Sequence, residues 1–152
     1  MKATTLDVKK CLEIERTCSL HNLRKASRAV TQLYDDAFRP LRLHSTQLTL
    51  LVALLGAGET PITPLARALA MDRTTLARNL RPLERQGLVE IASGEDQRTR
   101  MVRLTAKGRQ TVAQALPLWE QAQKQVIEHL GQERWHRLLE DLSRLVSMVN
   151  TR

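Results

Sequence analysis

Thr63-Pro64-Leu65-Ala66-Arg67-Ala68-Leu69, then Asp72-Arg73-Thr74-Thr75-Leu76-Ala77-Arg78-Asn79-Leu80, then Gly87-Leu88-Val89-Glu90-Ile91 and Arg100-Met101-Val102-Arg103-Leu104-Thr105 form the stretch that decides the fold. The spacing predicts a short helix, a tight turn, a second helix carrying Arg and Thr, and a small hairpin. Thr63 reads as an N-cap with Pro64 at the first helical position. Asp72 caps the second helix of the pair, and Gly87 closes it. Leu76, Leu80 and Leu83 repeat at helical spacing as a buried stripe, while Arg73, Thr74, Arg78, Arg81 and Arg85 fall off it. Pro82 sits inside this helix, where a bend is expected. Val89 and Ile91 alternate with Glu90, and Val102 and Leu104 with Arg103, as in half-buried strands. Residues 94–99 make a polar tip between them. Parts in this order can put a helix into a major groove and an arm onto the adjacent backbone.

Outward from this stretch the chain reads as mainly α. One long helix is expected from near Asp7, with Leu23, Ala26, Val30, Tyr34 and Ala37 on its stripe, ending near Pro40. A second begins at Ser45 or Thr46, and its apolar run over residues 48–55 predicts burial on all sides. Thr105 caps a further helix, whose seam Val112, Leu116, Trp119, Gln123, Val126 and Leu130 suits a partner helix. Gly131 closes that helix. The last carries Trp135, Leu138, Leu139, Leu142, Leu145, Val146 and Val149. The expected class is mainly α with a small β-hairpin, a winged helix-turn-helix with N- and C-terminal dimerisation helices. Residues 1–44 form an N-terminal helix of the dimer region, 45–108 a DNA-binding winged helix, and 109–152 the C-terminal dimerisation helices. One small lobe can hardly cover three long apolar stripes, which favours a homodimer.

Charge sharpens this reading. The 152 residues carry a net +8. Residues 61–109 hold ten Lys/Arg against five Asp/Glu, residues 1–60 nine against six, and residues 110–152 five against five. The excess therefore peaks in the helix pair and hairpin. Nine of the ten basic residues there are Arg, the better fork for phosphates and guanine edges. Aromatic residues are 3% of the chain, few for a protein that stacks single-stranded bases, so the partner expected is duplex DNA. No apolar run approaches the roughly 18 residues of a membrane span. No signal-peptide pattern opens the chain, and the location expected is cytoplasmic.

The blocks Asp72-Arg73-Thr74-Thr75-Leu76-Ala77-Arg78 with Leu83-Glu84-Arg85-Gln86-Gly87-Leu88-Val89, and Asp96-Gln97-Arg98-Thr99-Arg100-Met101-Val102-Arg103-Leu104-Thr105-Ala106-Lys107-Gly108, resemble the MarR family of bacterial winged-helix regulators. The wing block is the specific part: an Asp-x-Arg, an apolar strand, Leu-Thr, and a Gly shortly after. The resemblance runs from about residue 23 onward. It implies a homodimer with intertwined terminal helices on a pseudo-palindromic operator. Arg78 matches the family's major-groove arginine, flanked by Thr74, Thr75 and Asn79. Arg98 matches the wing-tip arginine, and Asp96 the carboxylate that holds it. Arg73 and Arg100 complete the DNA-binding set. Ala77 and Pro82 depart from the more polar residues usual in this helix, which bears on base preference. A small-molecule effector pocket is implied between dimer helices and reading head, with His21, Arg28, Leu50 and Trp119 as its lining.

Cys11 and Cys18, seven apart, are the candidates for an alternative thiol-based redox control. Some relatives sense peroxides with a first-helix cysteine, but matching Ser27-Arg28 to their pattern puts that position on Leu20. His21, His44, His129 and His136 are scattered, so neither metal site nor cofactor is expected. An enzyme is not expected: nothing resembles a nucleophile–base pair, and no cysteine follows Cys18. A winged helix used for protein contacts alone would have no need of Arg98 at the wing tip. The function expected is a sequence-specific DNA-binding regulator, a repressor released by a small molecule.

Overall fold

The computed structural model describes residues 6–94, 96 and 98–150, with only the backbone for 149 and 150. Glu95 and Gln97 of the wing tip and the side chain of Val149 lie outside the described residues. The N-terminal region is two helices where one was expected: α1 (Val8–Thr17) and α2 (Ser19–Phe38). Cys18 turns extended between them at φ −64° and ψ 115°. The Asn22 amide then donates to the carbonyls of Arg16 and Cys18 at 3.2 and 3.0 Å. The side chain thus takes up the Arg16 carbonyl that a continuous helix would have used, while the Cys18 carbonyl also accepts the Asn22 backbone N–H as the first bond of α2. Cys11 lies within α1 and Cys18 at the junction, so the two do not share one helical face; both thiols are free.

A 3₁₀ turn over Arg39–Leu41 carries Pro40. α3 (Ser45–Ala57) is capped not by Ser45 or Thr46 but by His44, in a reciprocal capping box with Gln47. Asp35 of α2 accepts the Ser45 N–H at 2.6 Å, tying the first helical residue of α3 to the preceding helix. Burial alone would raise the Asp35 pKa; hydrogen bonds from Ser45 and His44 outweigh it and hold the carboxyl below its ordinary value. The apolar run of α3 is not covered all round. Leu48, Leu50, Leu51 and Leu54 are buried, but Val52 and Leu55 are 46% and 52% exposed.

Next come β1 (Thr60–Pro61), α4 (Ile62–Ala68), α5 (Arg73–Arg85), β2 (Val89–Ser93), β3 (Arg100–Leu104), α6 (Ala106–Leu130) and α7 (Gln132–Asn150). The expected hairpin is part of a three-stranded antiparallel sheet in the order β1-β3-β2. Val89 pairs with Leu104 and Ile91 with Val102, while Thr60 pairs with Val102 from the other edge. Two residues with a proline give too little alternation to read β1 from sequence. α4 begins at Ile62, one residue before the expected cap, because the strand delivers the chain to Pro61 as N-cap.

The turn between α4 and α5 is closed by Ala70 N–H to Arg67 O and Met71 N–H to Ala66 O, with Ala70 at φ 51°. Gly87 at φ 70° ends α5 the same way, through Gly87 N–H to Glu84 O and Leu88 N–H to Leu83 O. α5 runs unbroken past Pro82. Leu76, Leu80 and Leu83 are each 0% exposed and meet Leu51, Leu54, Leu65, Val89, Val102 and Val112 in one core. Thr105 caps α6 by accepting the Gly108 N–H. Part of the α6 seam is satisfied within the chain: the Tyr34 hydroxyl donates to Gln123 Oε1, and Val112 is buried.

Candidate nucleic-acid interface

The Asp72 carboxylate starts α5. It accepts the Thr75 N–H at 2.8 Å and the Thr75 hydroxyl at 2.5 Å. These bonds, the hydroxyl's first, hold the Asp72 carboxyl below its ordinary pKa. Thr75 is therefore committed to the cap, while Thr74 stands exposed. Burial of the leucine stripe turns the opposite face outward. Arg73, Arg78, Arg81 and Arg85 are exposed and Asn79 is half-buried. Arg78 pairs with neither Asp72 nor Glu84, and among the described residues it enters no ion pair.

Other arginines are occupied. Arg103 forms a cross-strand pair with Glu90 at 2.8 Å, and an Arg109 guanidinium N–H reaches the Leu104 carbonyl at 3.3 Å. Arg103 thus links the two strands of the wing through its Glu90 partner. Lys107 donates to the Gln86 carbonyl at 2.7 Å, bracing the turn after α5. The contrast between committed and uncommitted cations outlines one basic face.

The wing is shaped by Asp96. Its carboxylate accepts the Thr99 N–H at 2.8 Å, Gly94 N–H donates to Thr99 O at 2.7 Å, and Arg98 N–H donates to Asp96 O. The sequence pattern assigns Asp96 to holding the Arg98 guanidinium. In the structure it folds the loop backbone instead, and the guanidinium is exposed and unpaired among described residues. Arg73 from α5 and Arg98 and Arg100 from the wing line one cleft of about 330 Å³, floored by residues 61–64. Sequence reasoning chose these arginines singly and missed the cleft, because β1 brings α4 and the wing together and β1 was not legible.

A second cavity, about 550 Å³, lies between α2, α3 and α6. Val30, Tyr34, Phe38, Val52, Leu116 and Trp119 make most of its wall, and Thr31 and Thr49 also line it. Of the four residues expected to line an effector pocket, Trp119 borders this cavity. Leu50 is buried in the core, and His21 and Arg28 are exposed on α2, outside the wall. Val30 and Tyr34 follow the α2 stripe, so they could have been found. Val52 was hidden by the expectation that α3 is covered all round. Among the described residues no group of His, Cys, Asp or Glu side chains is placed to hold a metal ion, and no helix is long and apolar enough to cross a membrane.

Residues 45–108 match the model of a winged helix DNA-binding domain. The chain is 35% identical to the M. tuberculosis transcriptional regulator MosR, solved in complex with DNA; the match covers 88% of this chain and 97% of that one, with a TM-score of 0.81. It is also 28% and 27% identical to the HTH-type transcriptional regulators YdgJ and YwoH of Bacillus subtilis, over 71% and 57% of this chain. The chain spans 66% and 63% of the length of these two curated relatives. These relatives are transcriptional regulators, not enzymes. An N-capped helix with an uncommitted basic face, a sheet-anchored wing and near full-length likeness to a solved regulator have one common reading: the chain belongs to the MarR family of winged-helix DNA-binding transcriptional regulators.

Proposed function

We propose that this protein is a cytoplasmic homodimeric repressor that occupies a pseudo-palindromic operator and leaves it when a small molecule enters the cavity between α2, α3 and α6. The observation that carries the DNA-binding part is the α5 face, where Arg73, Arg78, Arg81 and Arg85 are exposed above a fully buried leucine stripe. Arg78 with Thr74 and Asn79 reads bases in the major groove, and the wing contacts the flanking duplex. MosR, crystallised with DNA, supports this reading at 35% identity.

The dimer part rests on apolar surface. Leu138, Leu139, Leu142, Leu145 and Val146 of α7 are 36–50% exposed, and α1 buries none of its residues. Residues 1–44 and 109–152 would supply the shared core, and residues 45–108 the reading head. Two heads related by a two-fold axis then meet half-sites roughly one helical turn, about 34 Å, apart. A ligand that fits one head spacing better than another shifts the population away from the bound form.

Gel shift across a salt series tests the proposal. The expected plot of log affinity against log salt is steep, because each neutralised phosphate releases close to one counterion. A slope worth only about one or two ions overturns the proposal.

A further inference from the structure

We propose that the molecule taken by the cavity between α2, α3 and α6 is an uncharged, flat ring compound that donates one hydrogen bond to the wall, and is not a carboxylate; this rests on the effector reading of that cavity given above. Every described residue that lines the cavity is uncharged. Its volume, about 550 Å³, is ordinary for a site that encloses a small organic molecule. Tyr34 and Phe38 bring two rings 6.1 Å apart, inclined at 47°, and Trp119 adds a third from α6. Aromatic walls favour offset or edge contact with another ring.

The hydrogen-bonding capacity of the wall selects a donor. Three of its hydroxyls have their protons engaged inside the protein. Tyr34 donates to Gln123 Oε1, Ser45 to the Asp35 carboxylate, and Thr49 to the Ser45 carbonyl at 3.1 Å. A hydroxyl that has given its proton keeps only lone pairs for a guest. A guest with an N–H or O–H satisfies them, whereas a carboxylate can only accept. Thr31 and Thr46, the other two lining hydroxyls, can rotate to serve either way. Charge points in the same direction. Burial pushes the Tyr34 phenol up, so a negative charge is disfavoured at this wall. Asp35, the partner of Ser45, is held below its ordinary pKa and is a carboxylate at neutral pH. An incoming anion would lose water and meet that like charge.

The full chain is titrated with four compounds of similar shape, and the Trp119 Nε1–H resonance is followed. They are 3-methylindole, 1,3-dimethylindole, indole-3-carboxylate and indol-3-ylmethylamine. The first is expected to bind tightest. The second, whose donor is methylated, should bind about five- to tenfold more weakly, and the two charged compounds about a hundredfold more weakly. In one of Y34F, S45A and T49V the preference for 3-methylindole over 1,3-dimethylindole should vanish, which identifies the acceptor. Circular dichroism confirms folding of each variant. Equal binding of the two neutral compounds, a preference that survives in all three variants, or tighter binding of either charged compound overturns the inference. So does a Trp119 resonance that no compound moves, the result expected if a second copy of the chain fills the cavity. If 3-methylindole binds as expected but leaves operator affinity unchanged in gel shift, the effector reading falls instead and the ligand class stands.

Discussion

Arg78 and Asp35 show how differently two charged side chains serve the same molecule. Arg78 is exposed on α5 with no carboxylate partner among the described residues. A structural arginine would be paired; an unpaired one on a capped, rigid helix is free to reach a base edge. R78A is expected to lower discrimination between the selected operator and a mismatched one by about 1–3 kcal/mol, read from competition gel shifts. Equal loss on both duplexes would make Arg78 a phosphate contact. Asp35 works within the fold, where it accepts the Ser45 N–H and joins α2 to α3. Its folded pKa is below the unfolded one, so its stabilisation is present above the unfolded value of about 3.9 and is lost as pH falls through the folded value. D35N should therefore lower Tm at neutral pH, and the gap to the wild-type chain should narrow below about pH 4 in thermal melts. Arg78 was legible from its place in the Asp72 block. The Asp35 link was not, because it joins residues ten apart across a turn that sequence periodicity does not describe.

At the scale of elements, Gly108 decides how α6 meets the wing. A methyl group there would run into the Leu88 carbonyl oxygen and crowd Leu104 Cδ2 at 2.9 Å. The obstacle is backbone, which cannot rotate aside as a side chain can. G108A should destabilise by about 1–3 kcal/mol in urea melts through overpacking, although alanine is the better helix former. A stabilised variant would mean that α6 can slide away from β2. Leu80, 0% exposed in α5, belongs to the same assembly; L80A should cost about 2–5 kcal/mol by the same measurement. The leucine stripe, the Asp72 and Thr105 caps and the Gly87 stop were all legible, since helical period and capping are local. β1 and the break at Cys18 were not. A two-residue strand exists only because β3 is there to pair with it, and the junction rests on an Asn22 side chain reaching back along the chain.

For the whole molecule the governing feature is the apolar surface of the terminal helices. α7 presents Leu142 and Val146 at 36% and 50% exposure beside a groove of about 810 Å³ that also includes Leu23 and Met71. Apolar surface on this scale, continuous over several helices, is costly in water. Sedimentation of the native chain should give a dimer, and L142E/V146E should shift it to monomer with loss of operator binding and of the concentration dependence of Tm. A monomeric native chain that binds DNA equally well would remove the two-headed arrangement.

The chain's local grammar set the order of elements, their caps, the buried stripe of α5 and the basic character of the reading segment, because period, capping and charge act over a few residues. Tertiary structure decided which cations are spent on holding the sheet and which stay free, that Asp96 folds the wing backbone, and that Arg73 shares a cleft with Arg98 and Arg100. Those outcomes depend on the β1–β3 pairing and on contacts between residues far apart in the chain, where no neighbour in sequence carries the information.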